Sequence, residues 1–599
     1  MKKFIIRPMV FLAICVLGKE KAFAQAPIWA DNHDTSFQDG FLKQKQYNQR
    51  LYNQMTDSAQ KAHHIKEYYR WTGFWQNRAD YTRNPNGDMN TADLMAAGTL
   101  GNPICDASVN GRIWRYAGHI AGPQEKRYAL TGKGVVYSVF VDTLGDPTFN
   151  TIYIGTGNGL WKTTNANDSI PAWYNMLEKE RIAGVAVNDI EVVHYPNQDQ
   201  PWIFIATGLI HGFGHSTSSY GVGVLKSEDG GKSWKKTALT YAAENKKLTW
   251  EIVRHPSNPN RFFALTQNEV LETKNRFQTV QLRYRHRFEK KYARDMVFHP
   301  TDTSRAYVTF DANQRGTSAY GQIFYFEVDN PDPDWRNHWH DITQRIGVNQ
   351  NQGNVLRFDL AVSKAAPNHL YVSSQNKAYI SRDNAQTFSP FRGNSFSVGA
   401  SWWKNDFQVS PTDSATAYKG GIYISKTNNL KNWTDIQKPL HDDQRRILVL
   451  KGLDGKDWVY SCNDGDLGIS YDGGNTWKRV SEHCTDSCLN ITQIFGFDLD
   501  KNGQCMAYGC QDLGNYASNN TSQNWKKLNI GGDGYGVEYN LWGENFLLWA
   551  NDYALLFKNC LNNREEIGYL TEDHKRNPQH EFINGQLYFL HHKRFWRSK

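Results

Sequence analysis

The sequence predicts an all-β protein, a β-propeller of four-stranded blades preceded by a short helical N-terminal segment, and three observations carry that expectation. The first is composition: 14% of the 599 residues are aromatic, 20 of them Trp, and 48 Gly stand against 8 Met. That balance suits pleated strands and tight turns better than helices. The second is a repeated turn, since Ser227–Trp234, Ser381–Phe388 and Ser470–Trp477 share the spacing Ser-x-Asp-x-x-x-Ser/Thr-aromatic. The third is a recurring pair of apolar strands around a Pro/Asn/Asp turn, as in Ile252–Phe263, Met296–Tyr307 and Phe407–Tyr418. Two hairpins per repeat make a four-stranded blade, and blades of this size stack radially. The chain is also too long for one continuous core, which favours several units or a ring built from repeats.

In chain order, Met1 to Arg7 is basic, Met9 to Leu17 is a short apolar run, and Ala22-Phe23-Ala24 has the small-x-small form of a cleavage site. Residues 1–24 therefore read as a signal peptide, with Gln25 as the new N-terminus and a secreted or cell-surface destination. The apolar run breaks at Lys19-Glu20-Lys21 and is too short to span a bilayer, so no transmembrane segment is expected. Leu12-Ala13-Ile14 ahead of Cys15 is too bulky for a lipoprotein signal. Residues 25–125 form a helical and extended segment. Apolar positions Phe37, Phe41, Leu51, Met55 and Ala59, then Ile65, Tyr68, Tyr69 and Phe74, predict two helices, a docking element if the protein serves a surface or secretion assembly.

Strand-length segments follow the turn at Arg83–Asp88. Equivalent points recur at Thr164, Ser227, Thr273, Tyr325, Ser381, Ser425, Ser470, Ser518, Phe557 and Trp596, at intervals of 39 to 63 residues. These ten repeats fit a first propeller over 126–490 with further blades over 491–599 as an incomplete second ring, or a single ten-bladed ring. Within each corner the Asp and Ser/Thr side chains satisfy backbone groups, glycine permits positive φ, and the aromatic packs the hairpin onto its neighbour. Ser227, Asp229, Trp234, Ser381, Asp383, Phe388, Ser470, Asp472 and Trp477 accordingly read as fold-building residues.

The formal charge is +8, falling to +4 without the first 24 residues, and no long basic run occurs, so nucleic acid is not an expected partner. No nucleotide-binding glycine loop, HExxH, GxSxG or CxxC pair is present. Seven cysteines follow the signal, Cys105, Cys462, Cys484, Cys488, Cys505, Cys510 and Cys560, and local bridges are expected at Cys484–Cys488 and Cys505–Cys510. An odd number leaves one without an intramolecular partner. His483 with Cys484 and Cys488 lacks a fourth ligand, so neither a metal nor a cofactor is expected. Asp464, Asp512 and Asp533 lie in glycine-flanked loops where calcium or sugar would bind, although turn stabilisation is the simpler account. His211 and His215 read as part of a rim loop.

The repeated corners are Asp-boxes. Together with Tyr68–Trp75, Ile154–Thr164, Tyr220–Gly231, Gly509–Gly514 and Gly531–Gly534, they make the chain resemble the secreted BNR-repeat, sortilin-like propellers of Bacteroidetes, often labelled glycosyl hydrolases. More distantly it resembles the family 74 xyloglucanases, tandem propellers with two catalytic aspartates in a cleft. Thr156-Gly-Asn-Gly159 would align with an early segment of that family and carries no carboxylate. The Arg-Ile-Pro element of sialidases is absent.

Aligning the first strand of successive blades places Asp189, Glu251, Asp295, Asp359 and Asp406 at one position. First strands are innermost, so these acids would ring the mouth of the central channel. Such a collar would hold a cation, orient a basic ligand, or supply the two carboxylates of a glycosidase, with Asp359 and Asp406 as catalytic candidates. The simpler account is that each accepts backbone N–H groups from the next blade and locks the ring. Trp402 and Trp403 would stack on sugar rings or peptide side chains, or pack between blades. Three functions are compatible with this pattern. The preferred one is a propeller that binds polysaccharide, glycoprotein or peptide through its upper face without catalysis. The others are an endo-glucanase or xyloglucanase-like hydrolase, and a scaffold component.

Overall fold

The computed structural model describes most of residues 132–597 and six helical positions between Leu42 and Gln54, with side chains described as far as Val537. Segments 178–184, 209–220, 242–246, 313–319, 348–356, 392–405, 482–488, 501–504 and 519–524 lie outside the described residues. So do the expected signal peptide, nearly all of the N-terminal helices, His211, His215, Trp402, Trp403, Cys484 and Cys488.

The protein is all-β and built as propeller blades: among the described residues there are nine four-stranded antiparallel sheets and a tenth of three strands, each a meander of consecutive strands. The first strands of sheets 1 to 7 are Val136–Val141, Val187–Val193, Glu251–Arg254, Lys291–Phe298, Asp359–Ala361, Asp406–Val409 and Gln444–Lys451. Each packs on the next, and that of sheet 7 packs back on that of sheet 1. The first seven sheets therefore close on themselves, and one ten-membered ring is not what forms. Sheet 8 (first strand Ile494–Leu499) packs on sheet 9 (first strand Gly534–Asn540).

Radial stacking explains the burial pattern. A second strand is covered on both faces by neighbouring sheets and reads as an unbroken apolar run. Trp202–Thr207, Phe262–Leu265 and Leu370–Ser373 are buried at every residue. Fourth strands such as Lys235–Thr240 and Gln281–Arg285 face solvent and carry charge. One aromatic recurs in the second strands of sheets 1 to 8, as Tyr153, Phe204, Phe263, Tyr307, Tyr371, Tyr418, Tyr460 and Tyr508, all buried. A fully buried side chain of this size is worth about 1.5–3 kcal/mol, so the radial seams dominate the core.

The ring closes by packing without exchange of a strand. Val136, Ile154 and Trp161 of sheet 1 share a cluster with Trp458, Tyr460 and Ile469 of sheet 7. Polar ties run across the same seam: Lys133 N donates to Gly465 O at 2.7 Å, Tyr471 OH to Asn167 Oδ1 at 2.8 Å, and Lys478 Nζ to Ala166 O at 2.7 Å.

The Ser-x-Asp corners sit between third and fourth strands. In sheet 2, Ser227 Oγ donates to Asp229 Oδ1 (2.8 Å) and accepts from Gly231 N (2.7 Å), while Asp229 Oδ1 accepts from Lys232 N and Ser233 N. Trp234 Nε1 reaches back to Met176 O of sheet 1 at 3.3 Å, as Trp477 Nε1 reaches Ile436 O at 2.6 Å. Phe388 packs on the cluster between sheets 4 and 5. The fifth residue of four corners is left-handed, with φ of 92° at Gly231, 90° at Gly474, 60° at Phe277 and 65° at Ala385, while in the sheet 6 corner the fourth residue, Leu430, takes φ 56°. The sheet 1 and sheet 6 corners start at Thr163 and Thr427 and not at Thr164 and Ser425, because those hydroxyls bond to Asn165 and Asn429.

The expected Cys505–Cys510 bridge is overturned. Cys510 carries a free buried thiol that donates to Gly514 O, Cys462 is also free, and Cys505 is disulfide-bonded elsewhere. The reason is the strand Met506–Cys510 between them. Five extended residues separate the Cα atoms by roughly 16 Å, far beyond the span of a disulfide. Among the described residues no helix is long and apolar enough to cross a membrane.

Candidate functional site: the axial channel

The repeat position singled out in the sequence falls at one register in the innermost strands. Asp189 pairs with Ala206, Glu251 with Leu265, Asp295 with Thr309, Asp359 with Ser373 and Asp406 with Gly420, while Ser138 and Arg446 occupy the position in sheets 1 and 7. The next residue is apolar and anchors the strand in the seam, which turns the preceding side chain toward the axis.

Four of the five acids reach the following sheet. Asp189 Oδ2 accepts from Ile252 N at 3.0 Å, Glu251 Oε2 from Met296 N at 3.0 Å, Asp295 Oδ2 from Leu360 N at 2.6 Å, and Asp406 Oδ2 from Ile447 N. Each acid thus caps the N–H just after its counterpart in the next blade. Charge-assisted bonds of this kind are about twice as strong as neutral ones, so the collar fastens blade to blade. Asp359 differs: it is only 2% exposed, and Arg357 Nη2 grips its Oδ1 at 2.6 Å.

The sequence reading missed the cations interleaved with these acids. Arg446 bridges Asp189 (2.5 Å) and Glu251 (3.3 Å), and Arg294 lies 4.0 Å over the Trp250 ring and 3.8 Å from Asp311. Lys419 Nζ donates to Ser373 Oγ and Ser374 O. Arg446 was detectable, because it stands at the collar position of sheet 7. Arg294 and Arg357 lie one and two residues ahead of that position and give no repeat signal.

These groups enclose a cavity of about 80 Å³ whose walls include Trp250, Arg294, Asp295, Asp359, Asp406 and Arg446. Burial, reinforced by Asp359 and Asp406, raises the Asp295 carboxyl to about 7. Burial likewise raises Asp311 to about 7, against the pull of Arg357 and Arg294. Glu251 is raised well above its usual range by burial and by Asp295. Burial lowers Arg294 to about 9, helped by Arg357, and lowers Lys419 to about 7.

Asp464, Asp512 and Asp533 do not join this cavity. Asp464 is buried against Arg445, with contacts of 2.5 and 2.6 Å. Asp533 Oδ1 accepts Asp512 N at 2.9 Å, and Asp512 holds a left-handed backbone at φ 56°. All three serve ion pairing or turn geometry. Among the described residues, no three His, Cys, Asp or Glu side chains are grouped to hold a metal ion.

No protein-family model matches the chain, and neither does any curated protein. Among solved structures, the chain is similar to the GH74 enzyme of Niastella koreensis, at 12% identity over 79% of this chain and 76% of that one, with a TM-score of 0.37. The GH74 xyloglucanase from Xanthomonas campestris gives 12% identity, coverage of 79% and 80%, and a TM-score of 0.37. YCF48 from Cyanidioschyzon merolae gives 12% identity, coverage of 57% and 97%, and a TM-score of 0.36. These are propeller proteins, and likeness at this level carries no argument about activity.

Proposed function

We propose that the protein is an exported propeller that binds a polysaccharide, glycoprotein or peptide at the mouth of the axial cavity and does not cleave it. The observation that supports this reading is the commitment of the collar. Glycoside cleavage needs two carboxylates open to the substrate, yet Asp359 is buried against Arg357 and Asp406 is bonded to the N–H groups of Phe407 and Ile447. The signal-like N-terminus and the resemblance to secreted Asp-box propellers support the exported part. The test is retention of the full chain on glycan and peptide arrays, run beside a reducing-sugar assay on the same polysaccharides. Retention without sugar release is expected; release abolished by Asp359→Asn or Asp406→Asn would overturn the reading.

One observation favours the hydrolase as a second reading. Asp295, with its carboxyl raised to about 7, lines the cavity alongside Asp406, and a carboxylic acid that stays protonated near neutrality suits a proton donor. Sugar release lost in Asp295→Asn would establish that alternative.

A further inference from the structure

The wall of the axial cavity carries Arg294, Arg357, Arg445 and Arg446 beside Asp295, Asp359 and Asp406. Among the described residues, Asp189, Glu251 and Asp311 lie around that wall, as does Lys419, and Arg445 is taken by Asp464. Each guanidinium is already assigned: Arg446 to Asp189 and Glu251, Arg357 to Asp359, Arg294 to Asp311 and the Trp250 face. Asp295 and Asp406 have no ion-pair partner within 4 Å among the described residues, and both are only half-buried on the cavity wall. Behind them, Asp359 Oδ2 is buried without a hydrogen-bond partner, although Arg357 grips the other oxygen of that carboxylate. Uncompensated carboxylates in a low-dielectric site are costly, and a ligand's cation offsets that cost on entry. The raised carboxyls of Asp295 and Glu251 point the same way, since they hold protons where a counter-ion is missing.

We propose that the axial cavity receives a primary ammonium group, the lysine side chain of a peptide segment, placed against Asp295 and Asp406 with the charge of Asp359 behind them. This rests on the binding reading above and narrows its ligand class. A cavity of about 80 Å³ holds several waters or the tip of an extended side chain. A lysine's unbranched stem carries its charge down the axis past Trp250, whereas a sugar amine brings its ring with it. The arginines are held by Asp189, Glu251, Asp311, Asp359 and Asp464, and Lys419 by Ser373 and Ser374, so the incoming ammonium meets Asp295 and Asp406.

The test uses the full chain and three probes: the peptide acetyl-Gly-Ser-Lys-Ser-Gly-amide, the same peptide with acetyl-lysine, and n-butylamine as the bare head group. Calorimetric binding of the lysine peptide is expected to fall at least tenfold on acetylation, at least fivefold in Asp295→Asn, and to be competed by n-butylamine. The acetylated peptide serves as a ligand-side control that does not depend on a variant folding. Equal binding of both peptides, or no binding of the lysine peptide and n-butylamine at millimolar concentration, would overturn the proposal. Binding of a glucosamine oligomer in place of the lysine peptide would also overturn it. Glycan retention without amine binding would leave the binding reading standing and remove only this inference; failure of every probe and array would remove both.

Discussion

Aspartate does opposite work at the rim and at the axis of this ring. At the rim, Asp229 and Asp383 are solvated and surrounded by donors. Burial opposes ionisation of Asp229, but Ser233, Ser227 and Lys232 outweigh it and hold the carboxyl at about 2. Bonds from Thr387 and Ser381 hold Asp383 at about 2. At the axis the same residue type is buried among like charges, and Asp295 is pushed up to about 7. Donors near a carboxylate favour its charge, whereas burial beside other carboxylates suppresses it. The rim corners are therefore finished structure, while the axis retains two acids, Asp295 and Asp406, without an ion-pair partner within 4 Å among the described residues.

The largest expected effect breaks the axial side. Arg446→Ala strips the cation from Asp189 and Glu251 at once, and removing one member of such a cluster costs about 3 kcal/mol. Denaturant unfolding should show this loss, and a change under about 1 kcal/mol would mean that the collar does not depend on Arg446. Next comes the rim backbone. In Gly474→Ala the new Cβ would lie 2.4 Å from Ile436 Cδ1 at a φ of 90°, for a loss of about 2 kcal/mol read as a lower thermal midpoint. Ala385 occupies the matching position at φ 65°, so Ala385→Gly should change stability much less. A smaller effect, about 1–2 kcal/mol, is expected for Asp229→Ala, which deletes a hub of hydrogen bonds at a solvated turn.

The smallest effect sharpens the comparison through pH. Rim carboxylates with folded values near 2 contribute stability present above the ordinary carboxylate value and lost as pH falls from about 4 toward 2. The axial acids have raised folded values, so their contribution is present at acid pH and lost as pH rises from about 4 through 7. Asp229→Asn should flatten the acid limb of a stability–pH curve and Asp295→Asn the limb between about pH 4 and 7. Identical effects of the two variants on both limbs would contradict the distinction.

Blades and corners were legible in the sequence because each corner is a local hydrogen-bonding unit whose residue types recur. Where Asn and Thr replace Asp and Ser, the signal slipped by one or two positions, at Thr163 and Thr427. A first ring over 126–490 was one of the two arrangements the sequence offered, and the choice against a ten-bladed ring was not legible, since it depends on the rotation between blades, spread over seams such as the cluster shared by Trp161 and Trp458. The collar acids were placed at the right register, together with the simpler account of them as blade locks. Arg446, at the repeated position, could have been found, whereas Arg294 and Arg357 lie off it and give no repeat signal, and the Cys505–Cys510 pairing failed because an intervening strand holds the two apart.

Asp295 keeps a proton near neutrality because it is desolvated beside Asp359 and Asp406 and, among the described residues, has no ion-pair partner within 4 Å. Infrared difference spectroscopy of the full chain, titrated from pH 4 to 9, tests this directly. A protonated carboxyl C=O band is expected that persists at pH 6, is absent from Asp295→Asn, and disappears when n-butylamine is added. Complete loss of every protonated carboxyl band by pH 5 would contradict it.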